Sequence, residues 1–365
     1  MCGLTGCWTQ KADVALRASV EAMSQTLNHR GPDARAVWLD ESEEIGLGHT
    51  RLKVIDLSEN GAQPMHSACN RYVLVFNGEI YNHQTIRKEL EDRGLAPNWR
   101  GHSDTEILLA GFVAWGVTAT LQRTVGMFSL ALWDKKERRL TLGRDRFGEK
   151  PLYYGWPGRG NDATFVFGSE LKALRAFPNF ANPINRDALE LYFKFCTVPA
   201  PYSIYQDIFK LEPGHILVLQ GEGFNNRAIK IEPYWQLTDV VEKGISNPIV
   251  DEIEAIELLE SALRKSVEQQ SVADVPLGVF LSGGIDSSLI TALMQDQSNR
   301  RVQSFTVGFD ETEFDESPYA LAVAKHIGTE HHELRVTSSD ALNIIPNLPE
   351  IYDEPFADSS QIPTY

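Results

Sequence analysis

Two stretches of this chain carry residues that could do chemistry. The first is its start, Met1-Cys2-Gly3. Removal of Met1 would leave Cys2 with a free α-amino group beside its own thiol. Such an amine has a pKa of about 8 and, through a water, can act as the base that activates the thiol. One residue then supplies nucleophile and base, and no catalytic histidine has to be found. Taken alone, a cysteine can also stand at position two by chance. The second stretch is Val279-Phe280-Leu281-Ser282-Gly283-Gly284-Ile285-Asp286-Ser287-Ser288, between a buried strand and a helix. Two glycines let the backbone turn sharply and aim its N–H groups inward. The helix N-terminus adds partial positive charge, and three serines add hydroxyl donors, which together make an anion cradle. No lysine follows the glycines, so the pattern is not a Walker A loop. Asp286 would repel phosphate unless a Mg²⁺ ion bridged the two, so Asp286 is the expected Mg²⁺ ligand. The plain alternative is an ordinary Gly-rich strand-to-helix turn.

Cys2 is followed, in order, by Arg30-Gly31-Pro32-Asp33, Gly48-His49-Thr50-Arg51-Leu52, Phe76-Asn77-Gly78-Glu79-Ile80-Tyr81-Asn82 and Ser103-Asp104-Thr105-Glu106. This series resembles the class II glutamine amidotransferase domain over about the first 195 residues. Arg144-Asp145-Arg146-Phe147-Gly148-Glu149-Lys150-Pro151-Leu152-Tyr153-Tyr154 and Gly168-Ser169-Glu170-Leu171-Lys172 continue it. The resemblance implies an α+β N-terminal-nucleophile fold, a four-layer αββα sandwich. A thiolate attacking a carboxamide makes a tetrahedral oxyanion, which needs preorganised donors. The Asn77 side-chain amide and the Gly78 N–H suit that role, because glycine lets the backbone approach closely. A hairpin turn is the plain alternative for Asn-Gly after a strand. Cys2, Asn77 and Gly78 are thus the expected catalytic group. For the substrate, Arg51 offers a bidentate fork to the α-carboxylate of glutamine. Asp104 offers a charge to the α-ammonium, and Glu79 adjoins the oxyanion turn. Alternatively, Arg51 is a surface charge and Asp104 matches a helix dipole. By resemblance the glutamine pocket comprises Arg51, Leu52, Lys53, Val54, Ile55, Asn77, Gly78, Glu79 and Asp104.

The Ser282–Ser288 loop resembles the PP-loop of the N-type ATP pyrophosphatases, which grips pyrophosphate as it leaves the α-phosphorus. The ATP-binding residues implied are Phe280, Leu281, Ser282, Gly283, Gly284, Ile285, Asp286, Ser287, Ser288 and Val307. Phe280 and Val307 match positions that hold the base through main-chain atoms. Asp353-Glu354-Pro355-Phe356-Ala357-Asp358-Ser359-Ser360 loosely resembles the loop preceding an aspartate pocket. The cluster Asp310, Glu311, Glu313, Asp315 and Glu316 reads as a solvated loop. His326, His331 and His332 lack ligand spacing. A glutaminase joined to a PP-loop domain resembles the glutamine-hydrolysing asparagine synthetase family. That implies glutamine, aspartate and ATP as partners, ATP and Mg²⁺ as cofactors, and a β-aspartyl-adenylate intermediate. A homodimer is one expected assembly. The rival readings are an amidotransferase acting on another carboxylate, such as a uronic-acid sugar of a surface polysaccharide, and a non-catalytic regulatory module. The family's second Ser-Gly-rich acidic loop is missing, so the chain reads as C-terminally truncated. It is expected to hydrolyse glutamine without making asparagine.

The elements that must position these groups follow from periodicity. Leu16, Val20, Met23 and Leu27 recur at helical spacing. Tyr72 to Phe76 is β-rich and is expected to stop at Asn77-Gly78. Asn82 is expected to cap a helix through Ile86 and Leu90 that Gly94 ends. Ser103 with Glu106 reads as a capping box, with Gly116 closing that helix. Val125 to Trp133, Arg139 to Leu142 and Thr164 to Phe167 read as strands, paired antiparallel under packed helices. This places a glutaminase domain at 1–195, a connecting β-rich segment at 196–250 and the N-terminal part of a synthetase domain at 251–365. In the last, Ile256, Leu259, Leu263 and Val267 mark a long helix. Strands Leu277–Leu281, Val302–Phe309 and Glu333–Val336 then alternate with helices Ser287–Met294 and Pro318–Ile327. Alternation of this kind means a parallel α/β sheet, incomplete at three strands.

The 365 residues carry a net charge of −16, with 50 acidic and 34 basic side chains. Such a field repels polyanions, and nucleic acid is not an expected partner. The four cysteines form no CxxC pair, and Cys7, Cys69 and Cys196 are expected as small buried hydrophobes. No apolar run is long enough for a membrane span and no signal peptide is evident, so a cytoplasmic location is expected.

Overall fold

The computed structural model describes residues 1–10, 15–158, 164–220, 229–311, 313, 315–358 and 360–364. Ser359 and Tyr365 lie outside them. The chain divides into two compact units, Met1–Val240 with Tyr352–Phe356, and Val241–Ile351 with Ala357–Tyr365.

The first unit begins with β1 (Gly3–Thr9), α1 (Leu16–Gln25), β2 (Ala34–Asp40), β3 (Ile45–Arg51) and β4 (Met65–His66). It continues with β5 (Tyr72–Ile80), α2 (His83–Asp92), α3 (Asp104–Trp115), α4 (Val117–Arg123), β6 (Gly126–Asp134) and β7 (Arg139–Arg144). Then come β8 (Tyr153–Gly155), β9 (Thr164–Gly168), α5 (Leu171–Arg175), α6 (Arg186–Phe195), β10 (Ile208–Lys210), β11 (His215–Gln220) and β12 (Ile229–Pro233). One six-stranded sheet has the order β10-β8-β9-β1-β3-β2, the other β12-β11-β7-β6-β5-β4. Every pair in both is antiparallel.

Strand β5 shows how the layers form. Val73 and Val75 point into a core shared with Leu4, Trp8 and Leu47 of the first sheet. Tyr72, Leu74 and Phe76 point the other way, against Ile86, Leu90 and Ile107 of α2 and α3. A period of two with both faces apolar marks a strand covered on both sides. A third core packs Val20 and Met23 of α1, Leu171 and Leu174 of α5 and Ala188 of α6 on the far face of the first sheet. The result is the αββα sandwich. Full burial of each such large apolar side chain is worth about 1.5–3 kcal/mol.

Several local expectations change. Strand β5 does not stop at Asn77-Gly78 but runs on to Ile80, because it pairs with β6 as far as Ile80↔Gly126. The helix after Asn82 forms, yet the Asn82 side chain bridges Arg123 O and Val125 N instead of capping it. Ser103 caps α3 through Thr105 N, whereas Glu106 turns to the backbone and guanidinium of Arg100. The capping box is therefore open. The segment 196–250 supplies β10 to one sheet and β11 and β12 to the other.

The second unit carries α8 (Glu252–Gln270), β13 (Gly278–Phe280), α9 (Ile285–Asp296), β14 (Gln303–Phe309), α10 (Ser317–Ile327) and β15 (Glu330–Val336), after α7 (Leu237–Ser246) at the boundary. Its three strands are parallel in the order β13-β14-β15. Leu281, Ala320 and Ala324 form its buried cluster. Among the described residues no helix is long and apolar enough to cross a membrane.

Candidate active site

Cys2 immediately precedes β1, whose first residue Gly3 pairs with Thr50. A Cβ on Gly3 would stand 2.6 Å from Thr50 Oγ1, so only glycine lets the chain start this close to β3. The Cys2 sulfur accepts the Leu52 N–H at 3.4 Å and lies 3.6 Å from the Leu52 carbonyl. Burial pushes the thiol up from its ordinary value, against the pull of Leu52, the adjacent N-terminus and Arg51. Cys2 lines a pocket with Arg51, Leu52, Val54, Ile55, Asn77, Gly78, Glu79 and Asp104.

The oxyanion candidates sit on β5. Asn77 is 1% exposed, and neither polar atom of its side chain has a hydrogen-bond partner among the described residues. A buried amide with no partner is costly unless something docks against it. The Gly78 amide is aimed by the sheet. Its pair mate Phe128 spends its own N–H and carbonyl on Asp145, so Gly78 and Phe128 form a non-hydrogen-bonded pair. The N–H groups of Phe76, Gly78 and Ile80 therefore point away from β6. The first is taken by Gln63 Oε1 at 2.6 Å and the third by Asp104 Oδ2 at 2.9 Å. The middle one faces the pocket. A Cβ on Gly78 would come 2.1 Å from the Met127 carbonyl oxygen, which is why glycine stands there.

The two charges expected for glutamine are both buried. The Arg51 guanidinium is held by the carbonyls of Ser58, at 2.9 Å, and Asp56. Asp104, in the first turn of α3, is 6% exposed, and burial pushes its carboxyl up. Glu79 is pushed up by burial and by Asp104, and Lys150 opposes this. Lys53 alone of the expected group is not in the pocket lining. Its amide donates to Asp33 and its ammonium lies 3.4 Å from Glu59.

In the second unit the Ser-Gly-Gly loop joins the carboxyl end of β13 to α9. Gly283 has φ +83, and a Cβ there would lie 2.7 Å from Tyr319 Cβ. The Ser282 amide and hydroxyl meet Ser287 Oγ at 3.2 and 3.0 Å. Ser288 Oγ is buried without a hydrogen-bond partner among the described residues. Phe280, opposite Phe305 in β14, is 82% exposed, and Ile285 is 87% exposed. Val307 lies two positions beyond Phe305, toward the carboxyl ends of the strands, where ligands of such sheets bind. The donor set fits a phosphate chain. For Mg²⁺, Asp286 is an exposed carboxylate in the first turn of α9. No group of three His, Cys, Asp or Glu suited to a metal occurs among the described residues. Asp286 could hold the ion only together with phosphate oxygens.

Comparison with known proteins follows the same division. A family model for the glutamine amidotransferase domain matches residues 1–235, and one for asparagine synthase matches 258–365. The chain is 35% identical over its whole length to a Methanocaldococcus jannaschii protein provisionally named asparagine synthetase [glutamine-hydrolyzing] 2, covering 70% of it. The chain belongs to the asparagine synthetase family. It is 34% identical to Bacillus subtilis asparagine synthetase [glutamine-hydrolyzing] 1, again over its whole length, but spans only 55% of that relative. Glutamine phosphoribosylpyrophosphate amidotransferase from B. subtilis aligns over 91% of this chain and 65% of its own, at 14% identity and a TM-score of 0.46.

As a member of the asparagine synthetase family, the chain joins a glutamine amidotransferase domain to a ligase domain. Among the pocket residues that sequence reasoning did not assign to the site are Gly61, Gln63, Met127 and Lys150. Lys150 is 5% exposed and was visible only as part of the Arg144–Tyr154 motif. Its loop is organised by Asp145, whose carboxylate accepts the N–H groups of Phe147, Glu149 and Lys150. All four cysteines are free. Cys7 is buried as expected, but Cys69 and Cys196 are exposed. Cys69 lies in the turn between β4 and β5, and Cys196 is the left-handed cap of α6.

Proposed function

We propose that the first unit hydrolyses glutamine at Cys2 and that the ligase domain uses the ammonia to amidate aspartate. The unpartnered, buried Asn77 amide in the pocket that holds the Cys2 sulfur carries this reading. Once Met1 is removed, the α-amine of Cys2 takes the thiol proton through a water. Sulfur then bonds to the side-chain carbonyl carbon of glutamine, and the Asn77 amide and Gly78 N–H receive the oxyanion. Collapse returns a proton to nitrogen and expels ammonia. Water hydrolyses the remaining thioester to glutamate. Arg51 and Asp104 hold the α-carboxylate and α-ammonium. In the second unit the backbone and serines of 282–288 would hold the phosphates of ATP, and Asp286 would hold Mg²⁺, which would offset their charge. Phe280 and Val307 flank the base. There the β-carboxylate of aspartate would attack the α-phosphorus of ATP with loss of pyrophosphate, and ammonia would displace AMP from the β-aspartyl-adenylate to give asparagine.

Cys2→Ala tests the first step. It should abolish glutamine hydrolysis and spare ammonia-dependent synthesis in a protein that performs it. A normal rate of hydrolysis by this variant would remove the assignment. An acceptor other than aspartate leaves the glutaminase chemistry unchanged, and AMP release with aspartate against a uronic acid separates the two.

A further inference from the structure

Tyr352–Phe356 lie within the stretch matched to asparagine synthase, yet they pack as part of the first unit. Glu354 accepts the Ile204 N–H at 3.2 Å and the Tyr153 hydroxyl at 3.1 Å, and pairs with Lys210. Phe356 forms a β-bridge with Thr197. Asp353 is held in the left-handed region, φ 62, a strain of order 1 kcal/mol or more that a structure keeps only where its surroundings fix it. Its side chain is 4% exposed.

From Asp353 a series of hydrogen bonds and ion pairs leads to Cys2, its longest step the 3.8 Å ion pair between Asp353 and the Lys172 ammonium. Asp353 Oδ2 accepts the backbone N–H of Lys172 at 2.8 Å, and Oδ1 lies 3.8 Å from the Lys172 ammonium. That ammonium sits 2.8 Å from Glu170 Oε2. Glu170 Oε1 takes Arg30 Nη1 at 2.5 Å and faces His29 Nε2 at 3.1 Å. Arg30 Nε donates to the carbonyl of Cys2 itself at 2.9 Å. The charges alternate in sign along a largely buried path, where each member orients the next. Glu170, Lys172 and Asp353 are absent from the lining of the glutamine pocket.

We propose that Asp353 is a positioning residue for glutamine hydrolysis, fixing the Cys2 peptide, and so the direction of its thiol, through Lys172, Glu170 and Arg30. This rests on Cys2 being the nucleophile. Without Asp353, Lys172 loses one carboxylate and leans more on Glu170, and the share of that carboxylate available to Arg30 falls. The site would then be set in part by residues that arrive nearly 200 positions after the first sheet pairs β1 with β9.

The test uses the chain with Asp353→Asn, Lys172→Met and both together. Asp353→Asn should lower kcat for glutamine about fivefold, with KM changed less than about twofold. The double variant should fall no further than the worse single one. Peptide-resolved alkylation by iodoacetamide should change in rate at Cys2 and stay constant at exposed Cys69, with circular dichroism and Tm confirming the fold. An unchanged kcat, or single losses that multiply in the double variant, overturns the relay. A parent chain that hydrolyses no glutamine overturns the nucleophile instead. In that case equal Cys2 alkylation in parent and Asp353→Asn overturns the relay as well, and unequal rates uphold it.

Discussion

The backbone N–H of Leu52 donates to the sulfur of Cys2 across 3.4 Å. This bond favours the thiolate, yet burial outweighs it and the thiol stays above its ordinary value. Cys69 goes the other way: slight burial raises it, but the Ser67 hydroxyl and nearby backbone bring it down. In chain that retains Met1, iodoacetamide should therefore modify Cys69 before Cys2 at pH 7. Cys2 should catch up as the pH rises past its thiol pKa. Peptide mapping by mass spectrometry reads both rates, and a Cys2 that leads at pH 7 would contradict the burial argument.

Asn77→Ala removes one oxyanion donor without touching Arg51 or Asp104. The expected loss in kcat is about 10²–10³-fold, with KM for glutamine little changed. A loss confined to KM would make Asn77 a binding residue only. Steady-state glutaminase kinetics decides between the two.

Arg51→Ala and Asp104→Asn should act on binding. Removing one partner of a buried charged contact costs about 3 kcal/mol or more, roughly a hundredfold in kcat/KM. Asp104→Asn keeps an acceptor for the Ile80 N–H, so the fold should hold. Unchanged KM in both variants would take them out of the substrate site.

His49 supplies a pH dependence of stability. Its Nε2 meets the Phe76 carbonyl at 3.0 Å, and burial lowers its pKa to about 4, against the effect of that bond. Between pH 4 and 6.5 the unfolded chain binds a proton that the folded one refuses. His49 therefore destabilises the fold as the pH drops through that window, by about 3 kcal/mol in all. Urea unfolding at pH 7.5 and 5 should show the loss, and His49→Gln should reduce it. Equal slopes in parent and variant would mean that His49 titrates normally.

In the second unit, Gly283→Ala forces a Cβ toward Tyr319 at a left-handed position. A cost of about 1–3 kcal/mol in loop geometry should weaken Mg-ATP binding about fivefold or more. Calorimetric titration measures this, and glutamine hydrolysis should not change. Undiminished ATP affinity would argue against the loop as the phosphate site.

The site was legible where chemistry dictates residue type. Cys2, Asn77, Gly78, Arg51 and Asp104 line one pocket, and they were expected together from the family resemblance and because few side chains can attack an amide, receive an oxyanion or hold an amino acid's charges. Gln63 and Lys150 escaped because each is a single polar residue in a loop, with no periodicity to mark it as buried. Asn77-Gly78 carries the local signal of a hairpin turn, and long-range pairing of β5 with β6 overrode it. The sheet orders were also out of reach. Cys7 pairs with Val166, and nothing local in either segment announces the other. The parallel strands of the second unit were easier, since helix and strand alternate along the chain itself.

That placement of β1 has a consequence in time. Strand β1, which follows Cys2 directly, is made well before β9, but it is an inner strand, flanked by β3 and β9. Half of its ladder cannot form until Thr164–Gly168 have been made, and closing so long a loop is slow. Throughout that interval the start of the chain waits without its second neighbour. Cys2 would then reach its working geometry only after β9 has been made, and the thiol would gain its reactivity only with the finished fold.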